Sequence, residues 1–203
     1  MRKKIAVFAS GFGSNLQALI DFNTDGDLGG DIALVLSNES GAFALKRAKK
    51  HNIRAESIDP SGFVNRQNFE VETLKILKEE KIDLVVLAGY MFLLTPLILG
   101  EYKNRILNIH PALLPSFKGT HGIKDAFEYG VKISGVTVHF VDEELDNGPI
   151  IMQAPVFIGR EDTLEKFEEK MHKVEHKIYP QAVKLFCGDK LKIKGRKVEI
   201  LPE

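Results

Sequence analysis

The chain has 203 residues, 44% of them apolar, and its 28 Lys and Arg residues balance 28 Asp and Glu residues. This length accommodates one domain with a substantial core, and the zero net charge excludes a strong overall field that would recruit nucleic acid or an anionic membrane. The single cysteine excludes an internal disulfide, and no apolar stretch approaches the roughly 20 residues that span a bilayer. The apolar run after Lys4 is too short for a signal peptide. We therefore expect a cytoplasmic protein that works on small molecules.

The N-terminal part alternates apolar runs with segments of helical periodicity. Buried strands are predicted at residues 5–9, 32–36, 82–88 and 106–109, each bounded by turn residues. The segments between the first three strands space their apolar side chains three and four residues apart, as on the buried face of a helix. This alternation predicts a parallel sheet with right-handed crossovers.

The pattern changes after about residue 110. Residues 136–141 and 150–156 are extended candidates joined by a short acidic loop, which resembles a hairpin-like return. A last helix is predicted with Asp162 as its N-cap, Glu165 at its third position and a kink at Pro180. No linker marks a domain boundary, so we expect one domain over residues 1–203. Its predicted fold is a Rossmann-like α/β fold, a mostly parallel twisted sheet with helices on both faces and mixed strands toward the C-terminus.

A glycine-rich turn, Ser-Gly-Phe-Gly-Ser-Asn-Leu at residues 10–16, follows the first predicted strand and precedes the first helix. Free backbone N–H groups and the helix dipole favour an anion at this position. Leu16 replaces the third glycine of a dinucleotide fingerprint, and the Gly-Lys-Ser/Thr of a P-loop is missing. A monophosphate ester at Gly13, Ser14 and Asn15 fits better. An ordinary tight turn with Ser or Asn as the N-cap is an equally good interpretation.

The fourth predicted strand ends in polar residues. Asn108 and His110 are two residues apart, so they share one face at a carboxyl end, where open parallel sheets collect ligands. An amide beside an imidazole can donate hydrogen bonds to a developing oxyanion. Asp146 lies in a turn-rich loop that could place a carboxylate beside His110 and favour the imidazolium. The same residues could instead satisfy backbone groups at a strand end and cap a turn.

The motif at residues 108–115, Asn-Ile-His-Pro-Ala-Leu-Leu-Pro, resembles the signature of folate-dependent formyltransferases, and Leu-Asp-Asn-Gly-Pro at residues 145–149 is its companion. Within that family the turn at residues 11–16, Leu-Ala-Gly-Tyr-Met at residues 87–91 and Glu-His-Lys-Ile-Tyr-Pro at residues 175–180 resemble the branch that formylates phosphoribosylglycinamide. The match covers nearly the whole chain. The resemblance implies the formyltransferase fold, with a phosphate-binding half to about residue 110 and a folate and catalytic half from about residue 111.

The resemblance also implies a role for individual residues. Asn108, His110 and Asp146 would be catalytic, with Asn108 contacting the formyl oxygen of 10-formyltetrahydrofolate, and no metal would be needed. Ligand contacts are implied at nine further positions: Gly13, Ser14 and Asn15 for the acceptor's phosphate, Glu175 for its ribose or amine end, Met91, Phe92, Leu93 and Leu94 for the pterin, and Arg66 for the folate's glutamate carboxylate. Family members often carry a polar or basic residue at the position of Phe92. Some relatives have a histidine at the position of Ile123.

Other enzyme classes fit parts of the sequence. A formyltetrahydrofolate deformylase would use the same three catalytic residues with water as acceptor. It usually carries an N-terminal regulatory domain, which we do not expect because the first predicted strand begins at residue 5. Methionyl-tRNA formyltransferases add a C-terminal RNA-binding domain, which is larger than the tail at residues 190–203. The pentapeptide at residues 172–176, His-Lys-Val-Glu-His, matches the H-x-x-E-H zinc pattern of metallopeptidases, although it also suits a solvated helix face. The sequence does not indicate whether the protein is a monomer or an oligomer.

Overall fold

The computed structural model describes residues 2–202. The chain divides into two compact units, Met1–Leu107 and Asn108–Glu203, and β5 (Ile106–His110) passes from the first into the second. Among the described residues no helix is both long and apolar enough to cross a membrane. The expectation of a single domain stays a prediction.

The first unit alternates strands and helices. Its elements are β1 (Lys3–Phe8), α1 (Ser14–Asp25), β2 (Gly30–Ser37), α2 (Phe43–Lys50), β3 (Arg54–Ser57), a 3-10 turn (Pro60–Gly62), α3 (Arg66–Glu79), β4 (Leu84–Leu87) and α4 (Pro96–Glu101). The strands lie in the order β3-β2-β1-β4, and every pair in this series is parallel. β4 and the part of β1 after Lys4 are central and buried, which is why they read as continuous apolar runs. The predicted strands and their parallel pairing are confirmed.

The second unit mixes strand directions. Its elements after β5 are α5 (Gly122–Tyr129), β6 (Ile133–Phe140), β7 (Ile150–Phe157), α6 (Leu164–Cys187), β8 (Leu191–Lys194) and β9 (Lys197–Ile200). β6 and β7 are antiparallel, from Ile133 opposite Phe157 to His139 opposite Ile150, which confirms the hairpin-like return. β9 pairs with β7 in parallel and with β8 in an antiparallel hairpin. The predicted α/β class, with mostly parallel strands flanked by helices and mixed strands toward the C-terminus, is confirmed.

The sequence patterns missed the most exposed elements. β3 pairs with β2 through a polar segment without an apolar run, and the β8–β9 hairpin alternates charged with apolar residues in a short tail. One predicted helix cap is wrong. The N-cap of α6 is Thr163, whose hydroxyl accepts from the N–H of Lys166, while Asp162 accepts from Gly159 and pairs with Lys170. α6 continues through Pro180 to Cys187, and the predicted kink stays a prediction.

The N-cap of α1 is Gly13, so the alternative interpretation with Ser or Asn as the N-cap is wrong. Gly13 has φ +73°, and a Cβ on it would lie 2.8 Å from the Cβ of Ala44 in α2. The amide of Ala44 donates to the carbonyl of Gly11 at 3.1 Å, and the guanidinium of Arg47 donates to the carbonyl of Phe12 at 2.9 Å. Only glycine combines a left-handed backbone with this close approach. The first turn of α2 therefore sets the shape of the turn before α1.

We expect Gly13→Ala to lower the free energy of unfolding by about 2 to 4 kcal/mol, because it adds a left-handed alanine and a contact with Ala44. Gly11→Ala is the matched control, since a Cβ on Gly11 meets nothing within 4 Å. The control should change stability by no more than about 0.5 kcal/mol. Urea unfolding of both variants measures the difference, and equal midpoints would contradict the packing argument.

Candidate active site

The second unit brings four polar side chains together at the carboxyl end of β5. His110 and Asp146 are buried, with Nδ1 of His110 3.4 Å from Oδ2 of Asp146. His139 on β6 joins them, because its Nε2 lies 3.2 Å from Nδ2 of Asn108 and 3.8 Å from Oδ1 of Asp146. The three predicted catalytic residues therefore belong to one cluster, which His139 completes.

The hydrogen-bond partners of His110 and His139 indicate which ring nitrogen of each carries a hydrogen. Nδ1 of His139 faces the carbonyl of Phe140 at 2.8 Å, so it carries the hydrogen. Burial lowers the pKa of His139, which keeps Nε2 unprotonated as an acceptor for the amide of Asn108. Nε2 of His110 faces the carbonyl of Phe117 at 2.8 Å and so also carries a hydrogen. When Nδ1 of His110 is protonated as well, that hydrogen faces Asp146.

A hydrogen bond and the shape of the loop backbone fix the position of the Asp146 carboxylate. Asp146 has φ +47°, and its Oδ2 accepts from the N–H of Gly119 at 2.8 Å. Two residues later a Cβ on Gly148 would lie 1.8 Å from the carbonyl oxygen of Phe140, so only glycine lets the loop return to β6 this closely. The loop backbone, rather than the flexibility of the side chain, places the carboxylate beside the histidines.

The segment after β5 is fixed by residues that the sequence patterns did not single out. The hydroxyl of Thr137 donates to the carbonyl of Ala112 at 2.7 Å and accepts from the N–H of Leu114 at 3.1 Å. The amide of Gln153 donates to Thr137 and to the carbonyl of Leu114, both at 3.0 Å. Thr137 and His139 are polar residues on one face of β6, opposite a mostly apolar face. That alternation was the signal for both.

The predicted phosphate residues lie where α1 begins, in the first unit. Ser14 and Asn15 are the first two residues of α1, and Asn15 is buried. No side chain caps this helix end, so its first-turn N–H groups can bind an anion. The guanidinium of Arg47 lies over the Phe12 ring at 4.5 Å and adds positive charge beside the turn. We call residues 10–15 the N-terminal turn.

The four predicted pterin residues, 91–94, lie on a second segment of the same unit, residues 89–95, which we call the 89–95 loop. The predicted folate residue Arg66 begins α3, and Asn108 lies in the second unit. Met91 and Leu93 expose 65% and 59% of their surface. Phe92 packs against Phe69 of α3 with ring centroids 5.2 Å apart, and the guanidinium of Arg66 lies 4.4 Å from the centre of the Phe92 ring. The structure thus brings Arg66 and Phe92 together, and the apolar side chain at this position forms the support for the arginine.

Glu175 is buried on α6 in the second unit and accepts a hydrogen bond from Nδ1 of His172 at 2.9 Å. This bond raises the pKa of His172. The rings of His172 and His176 are stacked with centroids 6.3 Å apart. Within residues 2–202, no group of three or more His, Cys, Asp or Glu side chains is arranged to hold a metal ion, so the H-x-x-E-H pattern corresponds to no such cluster there.

Residues 3–183 match the family model described as formyl transferase. The chain is 40% identical to the phosphoribosylglycinamide formyltransferase of Bacillus subtilis over 92% of this chain and 95% of that protein. It is 41% identical over 96% of its length to the trifunctional purine biosynthetic protein adenosine-3 of Chironomus tentans, but spans only 14% of that relative.

Solved structures agree with these matches. The glycinamide ribonucleotide transformylase 1 of Symbiobacterium toebii superposes with a TM-score of 0.96 at 42% identity, covering 98% of this chain and 94% of that chain. A formyltetrahydrofolate deformylase from Pseudomonas syringae is a more distant neighbour, with a TM-score of 0.91 at 29% identity, covering all of this chain and 67% of that one. The chain belongs to the formyl transferase family.

Proposed function

We propose that this chain transfers the formyl group of 10-formyltetrahydrofolate to the amine of phosphoribosylglycinamide, a step of purine biosynthesis. The observation that carries the proposal is the cluster of Asn108, His110 and Asp146 at the end of β5. No side chain caps the start of α1, and this helix end suits a phosphorylated acceptor. The relatives of matching length are named for this reaction. The cytoplasmic location stays a prediction.

Charge stabilisation is the main demand of the reaction. The acceptor's amine attacks the formyl carbon, and the carbonyl oxygen becomes a tetrahedral oxyanion. The amide of Asn108 donates one hydrogen to His139 and has its second available for this oxyanion. A neutral His139 therefore orients Asn108. Losing one oxyanion donor typically raises the barrier by about 2.7 to 4 kcal/mol.

His110 supplies the second donor in this mechanism. Its Nε2 hydrogen faces the carbonyl of Phe117. When substrates bind, we expect His110 to donate this hydrogen to the formyl oxygen instead of to Phe117. One proton must also move from the attacking amine to N10 of the departing folate. His110, Asp146 and an ordered water are the three candidates for this relay. Asp146 would also stabilise the imidazolium of His110 throughout.

The rival deformylase reaction differs only in its acceptor. Mixing the protein with 10-formyltetrahydrofolate, with and without phosphoribosylglycinamide, separates the two by the change in folate absorbance. We expect release of tetrahydrofolate to require phosphoribosylglycinamide and to match the formylated product in amount. Turnover at the same rate without the acceptor would show hydrolysis and overturn the proposal.

Asp146→Asn should lower kcat by about 100- to 10,000-fold, because it removes the charge beside His110 while preserving shape. Binding of phosphoribosylglycinamide, measured by calorimetry, should stay within about threefold, since the phosphate is held in the first unit. Asp142→Asn is the matched control in the same loop, where Asp142 accepts from the N–H of Glu144 at 3.1 Å. The control should keep near-normal turnover. Near-normal kcat in Asp146→Asn would remove the assigned role.

The orientation of Asn108 requires a neutral His139. Burial lowers the pKa of His139 below the ordinary value of about 6.5, so the unfolded chain binds this proton more readily. Its contribution to stability is therefore present above about pH 6.5 and is lost as the pH falls through the lowered folded pKa. By NMR, His139 should titrate at lower pH than His172, whose pKa Glu175 raises. The reverse order would contradict the assignment of His139 as a neutral acceptor.

A further inference from the structure

Ser10 connects the N-terminal turn to the 89–95 loop. Its own N–H donates to the carbonyl of Gly89 at 3.0 Å, and its hydroxyl oxygen accepts from the N–H of Met91 at 2.8 Å. The hydroxyl hydrogen is directed to Oδ1 of Asn38 at 2.6 Å. The amide nitrogen of Asn38 in turn donates to the carboxylate of Glu39 at 3.3 Å, so it is the amide oxygen of Asn38 that faces Ser10. One side chain thus holds the start of the loop at a fixed distance from the turn.

The far end of the 89–95 loop has a separate anchor. The buried carboxylate of Glu70 on α3 accepts from the N–H of Thr95 at 2.6 Å and from its hydroxyl. Thr95 is also the N-cap of α4. Between the two anchors Met91 and Leu93 are mostly exposed and contribute little packing. Polar bonds at its ends therefore hold the position of the loop, together with the packing of Phe92 on α3.

We propose that Ser10 is a positioning residue that couples the two ligands, so that phosphoribosylglycinamide at the N-terminal turn and folate at the 89–95 loop each raise the other's affinity. The inference rests on the proposed function, because it takes both ligands from it. Ser10 touches neither ligand in this scheme and acts through the amide of Met91 and the backbone of Gly11.

The sign of the coupling follows from conformational entropy. A ligand on the N-terminal turn restricts Ser10, and Ser10 then restricts Met91 through the hydrogen bond to its N–H. Folate that binds afterwards meets a loop already ordered at one end, so it loses less conformational freedom on binding. Linkage makes the effect reciprocal, and couplings of this kind usually amount to about 5- to 150-fold in affinity.

Calorimetry with tetrahydrofolate tests the coupling, because this carrier has no formyl group and the ternary complex cannot react. The readout is the Kd for tetrahydrofolate without phosphoribosylglycinamide divided by its Kd at saturating phosphoribosylglycinamide. We expect a ratio of at least about 5 for the unmodified chain and below about 2 for Ser10→Ala. Ser10→Thr keeps the hydroxyl and should restore the ratio. Ser10→Cys, with a weaker sulfur acceptor, should give an intermediate value and decides the question if Ser10→Ala fails to fold.

Thr95→Val is the matched control at the other end of the loop. It removes the hydroxyl bond to Glu70 and should weaken tetrahydrofolate binding, while the ratio stays at the unmodified value because the Ser10 end is intact. A ratio near 1 in the unmodified chain, or an unchanged ratio in Ser10→Ala or Ser10→Cys, would overturn the coupling and leave the proposed function standing. If the unmodified chain bound neither ligand, the proposed function would fail, and the coupling with it.

Discussion

The burial of the Asp146 carboxylate is the constraint on which the candidate active site depends. A carboxylate in a protein interior needs hydrogen-bond donors or charged partners, because transfer from water otherwise costs several kcal/mol. The second unit meets this need with the N–H of Gly119 and with His110. The arrangement in turn requires a left-handed backbone at Asp146 and a glycine at position 148. Backbone geometry thus holds the Asp146 carboxylate beside His110.

Environment gives the histidines of the second unit opposite properties. His139 is buried with its Nδ1 against the backbone carbonyl of Phe140, and burial lowers its pKa, so it serves as a neutral acceptor that orients Asn108. His172 is half-exposed beside the carboxylate of Glu175, and that hydrogen bond raises its pKa. The same residue type therefore becomes a neutral acceptor in one place and a favoured cation in the other, according to which of burial and charge dominates.

The ligand contacts proposed for the first unit rely mainly on backbone groups. The N-terminal turn offers uncapped N–H groups, and its shape depends on Gly13 packing against Ala44. The 89–95 loop is fixed to Ser10 at one end and to Glu70 at the other. Backbone donors held by a packed scaffold keep their direction without loss of side-chain entropy, which favours precise orientation of two reactants. Because hydrogen bonds at its two ends fix the loop, an apolar side chain at Phe92 is compatible with it.

The sequence by itself determined the α/β class and the central strands, because buried parallel strands require continuous apolar runs, and it singled out Asn108, His110 and Asp146 as candidates, because the motifs are local in the chain. It could not identify β3, the β8–β9 hairpin or the caps of α1 and α6, where short polar segments are consistent with several local structures. Only the tertiary structure decided that His139 joins the cluster, that Thr137 holds the segment after β5, and that Ser10 meets Met91. Each of these contacts joins residues far apart in sequence, so local periodicity can show which face of a strand carries a polar side chain but not which partner that side chain meets.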